Sequence, residues 1–182
     1  MNLPNLVTLL RIFLVPVFIL VFLTPTASRS LAAAVIFLFA ALTDLMDGYL
    51  ARQWGQITKL GKFLDPIADK LLVLAALILL VDFQRVSSWL AIVIIGRELA
   101  MTGLRAIASS SGIVIAADEA GKYKMAIQTI SIVLLILGYK VGTINFHVWG
   151  TFLLWISMVL AILSGVQSFM KFLSQINSER MK

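Results

Sequence analysis

The chain has 182 residues, of which 60% are hydrophobic and 13% charged, and its mean hydropathy is +1.00. Soluble domains carry about 25% charged residues, so this composition excludes an ordinary soluble domain and indicates one membrane-embedded domain, residues 1–182. The absence of cysteine excludes a disulfide framework and a thiolate metal site. A net charge of +6 suits contact with anionic lipid or a site that handles phosphates. Nucleic acid is the poorer match, because the basic residues are scattered between apolar segments.

A spanning helix needs about 20 mostly apolar residues. In chain order, the apolar cores are Leu3–Leu23, Leu31–Thr43, Leu71–Val81, Trp89–Ile95, Met125–Val141 and Phe146–Phe169. They predict an all-α integral membrane protein with six transmembrane helices over roughly 5–23, 30–54, 62–82, 87–109, 120–140 and 147–173. The first run lacks a basic n-region and a small-residue cleavage site and contains Arg11, so it is expected to be retained rather than cleaved. Turn signals follow the first helix at Thr24-Pro25-Thr26, the second at Gly55 and the fifth at Val141-Gly142-Thr143. Asp65 precedes Pro66, so the third helix is expected to bend or begin there. Trp89, Trp149 and Trp155 read as belt or packing residues, and His147 as an interface residue.

Three of the six cores are too short to span unless their polar flanks are included. Those flanks hold Asp44, Asp47, Asp69, Arg97 and Arg105. Ionisable groups at membrane depth are costly and usually face a wet cavity. With both termini inside, ten basic residues fall on the inner side (Arg52, Lys59, Lys62, Arg97, Arg105, Lys122, Lys124, Lys171, Arg180 and Lys182). Only Arg29, Arg85 and Lys140 fall outside. The imbalance turns the carboxylate-rich ends of helices two and three toward the cytoplasm.

The segment from Asp44 to Asp69 carries the chemistry. It reads Asp44-x2-Asp47-Gly48-x2-Ala51-Arg52-x8-Gly61-x3-Asp65-x3-Asp69. Positions 44, 47, 48 and 51 share one helical face, as do 61, 65 and 69 on the next helix. Two helices joined by a short loop therefore aim four carboxylates at one cavity. Gly48, Ala51 and Gly61 on the same faces leave room for close approach. Such carboxylates repel one another, and divalent cations relieve the repulsion. All-oxygen ligands suit Mg²⁺ or Mn²⁺, and two ions about 3.5–4 Å apart would clamp a phosphoryl group. A pair of Asp at a helix end is commonly a solvated cap, but four on matching faces inside apolar helices are not explained that way.

At every fixed position the pattern resembles the signature of the CDP-alcohol phosphatidyltransferase family, D-x2-D-G-x2-A-R-x8-G-x3-D-x3-D. That resemblance implies a six-helix CDP-alcohol phosphatidyltransferase-like bundle, two metal ions and a homodimer. It implies Asp44, Asp47, Asp65 and Asp69 as metal ligands, with Asp69 also the catalytic base. It further implies Gly48, Ala51, Arg52 and Gly61, together with Asn5, Thr8 and Asp44, at the CDP-diacylglycerol site.

Outside the signature, the chain is similar to the branch of that family whose acceptor is sn-glycerol 3-phosphate. The stretches that resemble it are Asn2-Leu3-Pro4-Asn5 with Thr8 and Arg11, Gly96-Arg97-Glu98-Leu99, Gly103-Leu104-Arg105, and Gly121-Lys122-x-Lys124 with Gln128. Arg97 and Arg105 lie eight residues apart near one face of the fourth helix, and Lys122 and Lys124 open the fifth. An acceptor that carries its own phosphate needs such donors, which makes Arg97, Arg105, Lys122 and Lys124 the expected glycerol-3-phosphate site. The same residues could instead neutralise lipid head groups. Glu98 is expected to pair with a neighbouring base, and Arg11 to approach a phosphate or a helix end. Acceptors such as inositol phosphate, serine or phosphatidylglycerol stay open by chemistry alone. A cation- or proton-coupled transporter is the rival class, but no internal repeat supports it. The expected setting is a bacterial inner membrane, with the active site facing the cytoplasm.

Overall fold

A computed structural model describes the backbone of residues 3–54, 59–110 and 119–180, and the side chains of 9–43, 70–110, 121, 123–140 and 142–175. Six helices are present: α1 (Leu3–Phe22), α2 (Ala27–Trp54), α3 (Lys59–Asp82), α4 (Ser88–Ser110), α5 (Glu119–Leu137) and α6 (Phe146–Arg180). A small antiparallel hairpin of β1 (Lys140–Val141) and β2 (Ile144–Asn145) joins α5 to α6. Every expected helix is found, in order. The first three start two or three residues earlier than expected, and α6 runs to Arg180, past the expected end at 173. The chain is therefore all-α apart from the hairpin, whose two-residue strands are too short to show any periodicity in sequence.

Local chemistry sets the helix ends. Thr26 caps α2, its Oγ1 accepting from the Arg29 amide at 3.3 Å. Asn145 caps α6, its Oδ1 accepting from the amides of His147 and Val148 at 3.1 and 3.4 Å. Gly138, at φ +62°, terminates α5 in the left-handed conformation that glycine adopts without strain. Pro66 lies within α3 rather than at its start, since the helix begins at Lys59. A helix can carry an internal proline at the expense of one backbone hydrogen bond. Gly55, the expected stop of α2, lies outside the described residues.

α1 packs against α2 and α3, α5 against α6 and α2, and α4 against α6 and α3. The core contains Phe18, Phe22, Phe37, Leu77, Leu80, Ile94, Ile132, Leu135 and Leu154, all essentially inaccessible. Its aromatic part is a chain of ring contacts, from Phe37 to Phe18 to Phe22 to Phe83, with centroids 5.2 to 6.0 Å apart. The outward faces are equally apolar: Ile92, Leu20 and Phe13 are 68, 67 and 66% exposed. A surface of that kind is suited to lipid rather than water. Trp89 and Trp155 stack edge to face at 4.9 Å while about half exposed.

Among the described residues, α6 alone is long and apolar enough to cross a membrane by length and composition, with a mean hydropathy of 1.9 over residues 146–175. Leu9–Phe22, Ala27–Thr43 and Tyr123–Leu137 are apolar but shorter. Six separate spans are thus not established by length and apolarity.

The connection between α3 and α4 reaches across to fix the end of α5. Arg85 Nη1 donates to the carbonyls of Leu135 and Ile136, at 2.9 and 2.6 Å, and its guanidinium lies 5.7 Å from the centre of the Phe22 ring. These are carbonyls that the helix leaves without intrahelical partners. Burial pulls the guanidinium below its ordinary value, although arginine stays charged. A Cβ on Gly138 would come within 2.5 Å of Arg85 Nη1, so a side chain there would displace the guanidinium in addition to straining the backbone at its φ.

Candidate functional site

α2 and α3 contact each other, and both contact α1. Asp44 and Asp47 lie on α2, and Asp65 and Asp69 on α3. The side chains of these four, and those of Asn5, Thr8, Gly48, Ala51, Arg52, Gly61 and Lys122, lie outside the described residues. The walls next to the signature are described. Leu42, two residues before Asp44, and Lys70, next to Asp69, both line a cavity of about 610 Å³.

α1 to α5 all contribute to this cavity. Its walls are largely apolar, with Phe37, Leu77 and Ile94 among them, yet five basic side chains line it: Arg11, Lys70, Arg97, Arg105 and Lys124. Glu98 is its single described acid. Arg11 is 1% exposed and Lys124 5%. Burying that much positive charge is unfavourable unless anions balance it. Lys124 has such a partner in Glu98.

A polar network fixes the cavity's rear wall. Arg97 Nε donates to the Ala161 carbonyl at 2.8 Å, its Nη2 to Ser164 Oγ at 2.6 Å, and its Nη1 to Glu98 Oε1 at 3.2 Å. Ser164 Oγ donates in turn to Ala161 O at 3.1 Å. Lys124 Nζ pairs with the same Glu98 oxygen. Side chains of α4, α5 and α6 thus form one connected unit. Glu98 is paired as expected, with two bases rather than one. A guanidinium has five N–H donors, so two of Arg97's are not used in these three bonds. Arg105 is exposed and lines the same cavity.

The model of the CDP-alcohol phosphatidyltransferase family matches residues 1–163, well over half of the chain. The chain belongs to the CDP-alcohol phosphatidyltransferase family. The phosphatidyltransferase is 41% identical to the CDP-diacylglycerol–glycerol-3-phosphate 3-phosphatidyltransferase of Bacillus subtilis, covering 93% of this chain and 94% of the relative. It is 37% identical to the protein of that name from Haemophilus influenzae, covering 91% and 90%. With the Escherichia coli protein it shares 41% identity, covering 74% and 76%.

Of the expected acceptor residues, the phosphatidyltransferase brings Arg97, Arg105 and Lys124 to one cavity. Arg11, Lys70 and Gln128 join them there. Sequence reasoning missed the contribution of α6, which it read as hydrophobic only. A signal was available: Ser157, Ala161, Ser164 and Ser168 recur at i, i+4, i+7 and i+11, and all four are buried. Small residues on one stripe allow helices to approach closely. At Gly150 the approach is tight enough that a Cβ would meet Leu135 Cγ at 2.8 Å, and Ser131 Oγ donates to the Gly150 carbonyl at 2.7 Å.

Proposed function

We propose that this phosphatidyltransferase transfers the phosphatidyl group from CDP-diacylglycerol to sn-glycerol 3-phosphate, yielding phosphatidylglycerophosphate and CMP. The observation that carries the choice of acceptor is the clustering of Arg11, Lys70, Arg97, Arg105 and Lys124 in one cavity beside the signature. An acceptor with its own phosphate suits guanidinium and ammonium donors grouped in this way better than zwitterionic serine does. The names of the relatives point to the same reaction.

In this reading a hydroxyl oxygen of the acceptor attacks the phosphorus bearing diacylglycerol. The bond from that phosphorus to the CMP oxygen breaks, and Asp69 takes the hydroxyl proton. Arg97, Arg105, Lys122 and Lys124 hold the acceptor phosphate. Asn5, Thr8, Asp44, Gly48, Ala51, Arg52 and Gly61 form the CDP-diacylglycerol site. The family is dependent on divalent metal. Carboxylates two by two on adjoining helices are the hard donor set such ions prefer, and Asp44, Asp47, Asp65 and Asp69 would hold two ions, Mg²⁺ or Mn²⁺. When bound, the metal neutralises charge on the pyrophosphate.

The family is membrane-associated. We assign residues 1–182 to a single catalytic domain of six spans, with both termini and the active site on the cytoplasmic side of a bacterial inner membrane. Two copies form a homodimer surrounded by membrane lipid. The exposed apolar faces and the ten-to-three distribution of basic residues support this placement.

The test is CMP release from CDP-diacylglycerol by purified protein, offered glycerol 3-phosphate, inositol 1-phosphate, serine or phosphatidylglycerol in turn. Release should require glycerol 3-phosphate, stop on addition of EDTA and return with Mg²⁺ or Mn²⁺. Release with another acceptor overturns the assigned substrate, and release unaffected by EDTA overturns the metal site.

A further inference from the structure

Gln128 is a cavity-lining polar residue to which the reaction above gives no task. It is 5% exposed, and its Oε1 is buried without a hydrogen-bond partner. Among the described residues its carboxamide makes no hydrogen bond at all. A buried amide left unpaired is unfavourable by about the worth of a hydrogen bond, and such a group calls for a ligand or water. Gln128 lies one helical turn beyond Lys124 on the same face of α5, about 6 Å along the axis. Both residues line the cavity. A molecule whose phosphate is held near Lys124 and Arg105 would therefore present its carbon chain to Gln128.

The chemistry of the amide narrows what it can read. It is neutral, and the cavity already supplies cations for phosphate, so its partner is an uncharged polar group. A hydroxyl both donates and accepts, and can pair with either end of the amide whichever way that amide is turned. The acceptor of the proposed reaction has two hydroxyls, of which one attacks phosphorus and one is spare. We infer that Gln128 is a specificity-determining residue that hydrogen-bonds the spare hydroxyl of the polyol phosphate acceptor. This rests on the acceptor assignment made above, and it adds a contact that the basic residues cannot provide.

The experiment compares sn-glycerol 3-phosphate with 3-hydroxypropyl phosphate, which keeps the phosphate and a primary hydroxyl but lacks the spare one. The wild-type enzyme should prefer glycerol 3-phosphate by about ten-fold or more in kcat/KM. In Gln128→Leu the ratio should collapse toward one, through loss of activity on glycerol 3-phosphate, with the KM for CDP-diacylglycerol unchanged. Gln128→Glu, which keeps an oxygen at the same place, should retain part of the preference and guards against a leucine variant that fails to fold. A wild-type ratio near one overturns the inference, as does an undiminished ratio in Gln128→Leu. If wild-type enzyme releases CMP only with a different acceptor, the functional assignment fails and this inference with it. Normal use of glycerol 3-phosphate with an unaltered ratio sinks the role of Gln128 alone.

Discussion

Ser164 connects α6 to Arg97 in the wall of the cavity. Its Oγ accepts from Arg97 Nη2 while donating to Ala161 O, so Ser164→Ala removes an acceptor from a charged donor at a 2% exposed position. Hydrogen bonds to charged groups are worth roughly 1.5–3 kcal/mol. With Arg97 held by two of its three bonds, the KM for glycerol 3-phosphate should rise about ten-fold while that for CDP-diacylglycerol stays constant, and Ser164→Thr should restore it. Equal changes in both constants would show that Ser164 only packs. Asp69 answers to a different measurement. Asp69→Asn should lower kcat by about 10²-fold or more, with CDP-diacylglycerol still bound in a direct binding assay. If nucleotide and metal binding vanish together with turnover, Asp69 acts chiefly as a ligand. The two residues also differ in how visible they are in sequence. Asp69 belongs to a motif whose spacing states its chemistry, whereas a lone serine in an apolar helix looks like many others until its partner is known.

The six helices were legible because long apolar runs leave few alternatives to a helix. Their ends were less so. Gly138 and Asn145 mark the end of α5 and the start of α6 through glycine and N-cap chemistry, but the intervening hairpin depends on pairing Lys140 with Asn145, which no local pattern announces. The anchoring of α5 by Arg85 was equally hidden, since its partners are backbone carbonyls fifty residues away. Charge counting placed Arg85 on the outer side and said nothing of its partners. Arg85→Ala should destabilise the folded protein by about 1.5–3 kcal/mol, visible as a lower midpoint of thermal unfolding in detergent. The KM values of correctly folded enzyme should not change. A midpoint equal to wild type would mean that water caps α5 as well as the guanidinium does.

Across the whole molecule, charge and apolarity together make a statement about orientation. The chain has no cysteine, so single cysteines introduced at Lys140 and Lys171 report without background. In intact inverted and right-side-out vesicles, an impermeant maleimide should label position 140 only from the outer face and position 171 only from the inner. Labelling of both from the same face would overturn the proposed topology. The cavity shows where sequence reasoning reached and where it stopped. Arg97, Arg105 and Lys124 could be grouped from helical spacing and proximity to the membrane surface. Arg11 and Lys70 could not be assigned to it, because only tertiary packing of α1 and α3 against α2 and α5 brings them to the same space.

The hydrogen-bonded contact of α6 with Arg97 also bears on modular engineering. A membrane anchor is often treated as an exchangeable part, chosen for greasiness and length. Here a leucine-only replacement for residues 146–175 would satisfy the bilayer equally well, yet it would abolish the Ser164 hydroxyl and crowd the groove beside Gly150. Chimeras joining the first five helices to a foreign tail should therefore insert normally and still be poor catalysts, until a Ser-Gly pair is restored at 164 and 165 and a glycine at 150.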